Sequence, residues 1–311
     1  MPDDSLRVAL VQRACSDNPA DNLAACCEQI SAAASQGAQL VVLEELHNSL
    51  YFCQQEDTTQ FDLAEPIPGP STDALGATAR QHGVVIVASL FEERAVGLYH
   101  NTAVVLDSDG SLAGKYRKMH IPDDPGYYEK FYFTPGDLGF APIQTSLGKL
   151  GVLVCWDQWF PEAARLMTLA GAGLLIYPTA IGWDPRDDEA ERERQRDAWI
   201  TVQRSHAVAN GVPVLSCNRT GHEADPGSTS AGIQFWGSSF ACGPQGDLLA
   251  SAPTDEDTLL VVDIDRQRAE KVRRIWPYLR DRRIDAYDGL RQRYLDEPPP
   301  GMSPGKDINK E

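Results

Sequence analysis

Cys155 closes an apolar run and stands directly before a turn and a helix, in GVLVCWDQWFPEAAR (151–165). A thiol at the C-terminal edge of a sheet is held rigidly, and such edges carry the sites of open α/β folds. The helix predicted from Pro161 adds backbone N–H groups and a partial positive charge nearby. Both favour a thiolate or a developing oxyanion. A free thiol is also commonly a small buried hydrophobe, so position alone leaves both readings open. Two other strand ends carry charge. Glu44 and Glu45 close LVVLEE (40–45), and Lys118 lies in GKYRKMHIP (114–122), where a hairpin strand ends before Pro122. Taken singly, these are a surfacing acid and a solvated cation. Taken together, a thiol nucleophile, a carboxylate base and a cation for the oxyanion complete a covalent acyl-transfer set.

Other chemistries lack their residues. G-x-S-x-G is absent, which removes the serine elbow of the α/β-hydrolases. GAGLLI (171–176) lacks a third glycine and precedes a strand instead of following one, so it is no dinucleotide loop. No Walker loop leads to Gly148–Lys149. Histidines at 47, 82, 100, 120, 206 and 222 form neither H-x-H nor H-E-x-x-H. Neither a metal nor a cofactor is implied.

The elements that must position these residues alternate short β-rich runs with amphipathic stretches. Strands are predicted at 6–12, 38–45, 84–91, 150–157, 174–180, 212–218, 233–242, 247–252 and 258–265. Helices are predicted over 19–35, with Asn18 as N-cap, over about 70–82, and from Pro161 to a stop at Gly171. A long helix capped by Asp187 or Asp188 ends at Asn210–Gly211, with Trp199, Val202, His206 and Ala209 as its apolar stripe. Another helix runs from Arg266 to Ile275. Residues 99–118 read as a hairpin turning at Asp109–Gly110. Two halves of similar order suggest two sheets with helices outside, and equally allow one doubly wound sheet. One domain is expected over 1–280, with a C-terminal arm and tail over 281–311.

Composition narrows the partners. The chain has 311 residues, 42% apolar and 23% charged, enough to bury a core without staples. Its net charge of −17 argues against a nucleic-acid partner, since phosphate binding needs a basic surface. No apolar run approaches the roughly 20 residues of a membrane span. The acidic start MPDDSLRVALVQ does not read as a secretory signal. Seven cysteines without a C-x-x-C pair read as free thiols in a reducing cytoplasm.

With those residues in view, the chain resembles the nitrilase (carbon–nitrogen hydrolase) superfamily. The resemblance runs over about 5–290 and rests on VVLEELHNSLYFC, GKYRKMHIP and GVLVCWDQWFPEAARL. KMHIPDDPGYYEKFYFTPGD, CWDQWFPE, CNRTG and WPYLRDRR resemble, more narrowly, the N-carbamoylputrescine amidohydrolase branch. The resemblance implies a four-layer αββα sandwich and a homo-oligomer whose arms cross to neighbours. It also implies that Glu45 is the base, Lys118 the cation and Cys155 the nucleophile. Glu129, in YYEKF, would hold Lys118, and the Trp156 amide would share the oxyanion. The implied reaction turns N-carbamoylputrescine into putrescine, ammonia and carbon dioxide, a step of polyamine synthesis. The chain departs from the branch at His47, Asn48, Ser49 and Leu50, and again at Ile181-Gly182-Trp183-Asp184-Pro185, two stretches expected to line the pocket.

For a small cationic carbamoyl-amine substrate, Asp184, with Glu189 behind it, is the candidate partner of the distal ammonium. Both acids serve equally as helix-end or surface residues. Tyr51, Trp156 and Trp183 are candidates for an aromatic lining, and each could equally be core. A carbamoyl amino acid, such as carbamoyl-β-alanine, or an ω-amide is the alternative substrate. These carry a carboxylate, for which Arg186 and Arg219 are available. A catalytically silent binding protein on the same fold is the alternative outside enzymes.

Overall fold

The computed structural model describes residues 5–227 and 230–296. The predicted tail at 297–311 lies outside the described residues. The chain opens with β1 (Ser5–Gln12) and α1 (Pro19–Ser35). The Asn18 side chain caps α1 by accepting from the Ala20 amide, a cap worth about 1 kcal/mol. There follow β2 (Leu40–Leu43), α2 (Pro70–His82), β3 (Val85–Ala95), β4 (Leu98–Leu106) and β5 (Leu112–Arg117). The middle holds α3 (Glu129–Tyr132), β6 (Ile143–Thr145), β7 (Gly148–Val152), α4 (Pro161–Leu169), β8 (Leu174–Thr179) and β9 (Gly182–Trp183). The long helix α5 (Glu189–Asn210) starts at Asp188, whose side chain accepts from the Glu191 amide. Then come β10 (Val214–Asn218), β11 (Thr220–Glu223), β12 (Ile233–Trp236), β13 (Phe240–Cys242), β14 (Leu248–Ser251), β15 (Thr258–Asp265) and α6 (Arg266–Ile275).

Two six-stranded sheets result, ordered β15-β1-β2-β3-β4-β5 and β14-β13-β10-β8-β7-β6. Their alternation explains the layers. Val8, Leu10, Leu40, Val42, Val85 and Val87 of the first sheet share a buried core with Val152, Leu174, Ile176 and Val214 of the second. The intervening residues Ala9, Val11, Val41, Leu43, Ile86 and Ala88 face the other way, onto Cys26, Ile30 and Ala33 of α1 and Leu75 and Ala79 of α2. With period-two side chains, each strand of the first sheet feeds both layers, which is why LVVL and VIVA are apolar throughout. Helices α4 and α5 cover the second sheet. The architecture is the four-layer αββα sandwich, and the single doubly wound sheet is excluded.

Three local expectations change. The strand predicted over 150–157 ends at Val152, and Cys155 begins a separate 3₁₀ turn, Cys155–Trp159. The run 233–242 is two strands, β12 and β13, because Gly237 and Ser238 both take positive φ (48° and 55°) and break the ladder. On α5 the buried stripe is Trp199, Gln203, His206, Ala207 and Asn210, while Val202 and Ala209 are only partly covered. Polar Gln203 and Asn210 hide in it because their amides bond the Trp199 and His206 carbonyls within the helix. A third small sheet, β11-β12-β9, lies at the end of the sandwich that carries the site. Past α6, the described part of the arm holds two 3₁₀ turns, Ile284–Ala286 and Asp288–Arg291.

Candidate active site

Parallel pairing sets the site. Strands β1, β2 and β3 run parallel in one sheet, and β7, β8 and β10 in the other. The segments just past β2, β8 and β10 meet at one backbone atom: the amides of Glu45 and Arg219 both donate to the Thr179 carbonyl, each at 3.3 Å. The segment past β7 delivers Cys155 to the same end, and the end of β5 delivers Lys118. The Lys118 amide donates to the Asn101 carbonyl of the adjacent β4 (2.9 Å), which extends the ladder by one residue.

Cys155 has φ +42°, a left-handed conformation unusual for a side chain of its kind. The strain belongs to a tight strand-to-turn elbow, and Asp157 fixes that elbow. Asp157 Oδ2 accepts from the Val154 amide (3.0 Å) and the Tyr116 hydroxyl (2.8 Å), and Oδ1 accepts from the His120 amide (3.1 Å). The first amides of such a turn have no acceptor within it, which leaves that of Trp156 beside the thiol. The Cys155 Sγ lies 4.0 Å from the Ala180 carbonyl, and the thiol is buried.

Lys118, Glu45 and Glu129 form one buried cluster, each at most 1% exposed. Lys118 Nζ donates to Glu45 Oε1 at 2.8 Å, and to Glu129 Oε1 and Oε2 at 2.9 and 2.6 Å. Three contacts use all three N–H bonds of an ammonium. Two of them go to one carboxylate, so giving up one keeps Glu129 bound and frees a donor. Glu45 Oε1 also accepts from Asn101 Nδ2 (2.7 Å), while Glu45 Oε2 is buried with no hydrogen-bond partner among the described residues. That oxygen is the one able to take a proton. The adjacent acid, Glu44, faces away and pairs with Arg13 at 3.2 Å.

The electrostatics follow from burial and from the two acids. Burial pushes the Cys155 thiol well up and Glu45 adds to this, against the pull of Lys118. Lys118 is held above the ordinary lysine range: burial alone would lower it, and Glu129 and Glu45 outweigh burial. Burial pushes Glu129 up to about 7, opposed by Lys118 and helped by the like charge of Glu45. These groups titrate together, so protons belong to the cluster more than to single residues.

Against the cluster is a cavity of about 480 Å³, whose lining includes Glu129, Cys155, Trp156, Ala180, Gly182, Asp124, Tyr127, Trp159, Gln195 and Trp236. Such a volume suits a small ligand. Among the described residues no Lys, Arg or His lines it. No group of three or more His, Cys, Asp or Glu among the described residues could hold a metal ion.

The carbon–nitrogen hydrolase family model matches residues 7–274. The chain belongs to the carbon–nitrogen hydrolase family. It is a hydrolase of non-peptide C–N bonds. A crystal structure of a carbon–nitrogen hydrolase from Helicobacter pylori is 51% identical, with a TM-score of 0.91, over 94% of this chain and 100% of that one. An N-carbamoylputrescine amidase from Solanum lycopersicum is 44% identical over 91% of this chain and 94% of its own length. A citrullinase from Francisella tularensis is 41% identical over 93% and 99%.

Within this carbon–nitrogen hydrolase, the structure brings Glu45, Lys118, Glu129 and Cys155 together, with Trp156 on the cavity wall. Three expected pocket residues stand elsewhere. Tyr51 is 1% exposed and does not line the cavity, its hydroxyl donating to Glu129 Oε1 at 2.7 Å. Trp183 and Asp184 line an adjoining recess of about 560 Å³ that shares Tyr127, Gly182 and Gln195 with the Cys155 cavity, and the Trp183 ring packs 5.5 Å from that of Trp236. The Trp183 indole N–H donates to the Arg192 carbonyl at 2.9 Å. Asp184 is tied to Arg186 at 2.5 Å, which holds its carboxyl near 2. Glu189 is the first residue of α5 and exposed.

Sequence reasoning missed Asn101, Asp124, Tyr127 and Asp157. Asp157 could have been flagged, since it is the acid two residues after Cys155. Asn101 sits mid-hairpin and gives no local sign. Among the described residues no helix is long and apolar enough to cross a membrane.

Proposed function

We propose that this hydrolase cleaves N-carbamoylputrescine to putrescine, ammonia and carbon dioxide, through a covalent intermediate on Cys155. The carrying observation is the lining of the cavity over the thiol: aromatic walls, a rim acid besides the Lys118-paired Glu129, and no lining cation. At its rim Asp124 is exposed, and its carboxylate makes no ion pair or hydrogen bond with another described residue. It is therefore free for the distal ammonium of the substrate, whereas Asp184 is already neutralised by Arg186. The amidase relatives point to the same substrate.

In the proposed sequence, Glu45 Oε2 takes the Cys155 proton and the sulfur attacks the ureido carbonyl. Negative charge develops on oxygen, where the freed Lys118 N–H and the Trp156 amide stabilise it. One such donor is typically worth about 2.7–4 kcal/mol of barrier. The C–N bond breaks, and the leaving nitrogen takes the proton from Glu45. Water, deprotonated by Glu45, attacks the thiol-linked carbonyl; Glu45 returns that proton to the departing Cys155 sulfur, and the carbamic acid released loses carbon dioxide, which breaks the second C–N bond and frees the second amine. Glu129 keeps Lys118 charged and in place throughout.

The carbamoyl-amino-acid alternative loses its two arginines. Arg219 is fully buried and occupied by backbone carbonyls and Glu223, and Arg186 is bound by Asp184 in the adjoining recess. A silent binding protein is disfavoured by the unpartnered Glu45 oxygen and the buried Cys155 thiol, whose electrostatics Glu45 and Lys118 both shape. The reading includes a reducing cytoplasm, supported by seven free cysteines. It also includes a homo-oligomer, supported by exposed Leu166, Leu169 and Val208 on α4 and α5 and by Trp276 and Leu290 beyond α6. The deciding experiment compares kcat/KM for carbamoylputrescine, citrulline, carbamoyl-β-alanine and an ω-amide, with mass spectrometry of trapped enzyme. The expected result is preference for carbamoylputrescine and an adduct on Cys155. Preference for the carboxylate-bearing substrates overturns the assignment.

A further inference from the structure

We infer that the buried Arg219–Glu223 ion pair is the positioning device that sets both carboxylates holding Lys118. This rests on the reading of Glu45 and Glu129 as working acids and extends it to two residues without a role in that chemistry. Arg219 follows β10 and Glu223 ends β11. Arg219 is fully buried, and Glu223 is 6% exposed. One arm of the pair reaches Glu45. Arg219 Nη2 donates to the Glu45 carbonyl (3.0 Å) and to the Leu46 carbonyl (2.9 Å), and Nη1 donates to the Ser49 carbonyl (2.9 Å). The segment so gripped bends at Leu46, with φ +50°. A leucine held there is strained, so without the grip the turn that aims the Glu45 side chain is free to relax.

The other arm reaches Glu129. Arg219 Nη1 holds Glu223 Oε1 at 2.6 Å, and Glu223 Oε2 accepts from the Tyr51 amide at 2.6 Å. Tyr51 in turn donates its hydroxyl to Glu129 Oε1 at 2.7 Å. The guanidinium also rests over the Phe235 ring, 5.4 Å from its centroid, which fixes the plane of the fork. Lysine cannot reproduce this: a point charge lacks the planar fork that serves three carbonyls and a carboxylate at once. Arg219 and Glu223 line no wall of the Cys155 cavity, so they act through other residues and not on the substrate.

The test uses the full-length protein with Glu223→Gln, Arg219→Lys and Tyr51→Phe, and active sites counted by alkylation of Cys155. Rates are taken on whichever ureido or amide substrate the parent enzyme turns over, so a wrong substrate assignment shows in the parent and leaves this comparison intact. Glu223→Gln keeps an acceptor for Arg219 but turns an N–H toward the Tyr51 amide. It should lower kcat per titrated site by about 10–100-fold with KM changed less than about threefold. Arg219→Lys should lower kcat at least as far. In the double variant with Tyr51→Phe, the effect of Glu223→Gln should largely vanish, because both act on Glu129 through one hydroxyl. Unchanged kcat per titrated site, or additive losses in the double variant, overturns the inference. If Arg219→Lys fails to fold, Glu223→Gln and the cycle still decide it.

Discussion

Tyr51 Oη donates a 2.7 Å hydrogen bond to Glu129 Oε1, the same oxygen that accepts from Lys118 Nζ at 2.9 Å. The phenol thus works on the acid that holds the cation, from outside the cavity lining. A hydrogen bond to a charged group is worth about 1.5–3 kcal/mol. Tyr51→Phe should therefore lower kcat roughly 10–100-fold and leave KM for carbamoylputrescine nearly unchanged. A rise in KM alone would return Tyr51 to the substrate wall.

Glu129 is pushed up to about 7 by burial, so it gains a proton as the pH falls through that value. Protonation weakens its hold on Lys118. The expected profile of kcat/KM falls on the acid side with an apparent midpoint near 7, a property of the coupled cluster. Glu129→Gln should lose most activity and also this limb. A variant with the same midpoint as the parent would detach the limb from Glu129.

Asp124 is exposed at the cavity rim, so its pairing with an ammonium is screened and worth about 0.2–1 kcal/mol. Asp124→Asn should raise KM for carbamoylputrescine by about 2–5-fold, more at low salt, with kcat held. Uncharged butylurea should show no such change. Equal effects on both substrates would remove Asp124 from ammonium recognition.

His47 is fully buried, and burial pushes it from 6.5 down to about 3. Between those values the unfolded chain binds a proton that the folded chain does not, so stability rises with pH and is lost as pH falls from about 6.5 toward 3. The slope from this one group reaches about 1.4 kcal/mol per pH unit. Urea midpoints taken between about pH 4 and 7 should show it, and His47→Gln should flatten it.

Gly182 leaves no room for a side chain. A Cβ there would lie 2.3 Å from the Gln234 carbonyl oxygen and 2.7 Å from the Phe235 Cα. The same residue donates its amide to Tyr127 Oη at 3.1 Å on the cavity wall. Gly182→Ala must push β9 off β12. It should lower thermal stability by about 1–3 kcal/mol and reduce kcat/KM, both read on the purified variant.

The sequence alone made much of this protein legible. Continuous apolar runs told of strands covered on two faces, and Asn18, the pair Asp187–Asp188 and Asn210–Gly211 marked helix ends, because caps and burial patterns act over a few residues. The ordered motifs around Glu45, Lys118 and Cys155 were equally plain, since each reactive group stands at the end of a recognisable strand. What the tertiary structure alone decided is which groups face which. Asp184 is the acid that sequence position suggested, and Arg186 silences it, while Asp124 reaches the cavity rim unpaired. Tyr51 bonds Glu129 from outside the cavity lining. Arg219 is buried against Glu223 instead of meeting substrate. The Cys155 elbow hangs on Asp157 and Tyr116, 41 residues apart in the chain. Pairings of this kind depend on which strands become neighbours, and no local pattern of residues encodes that.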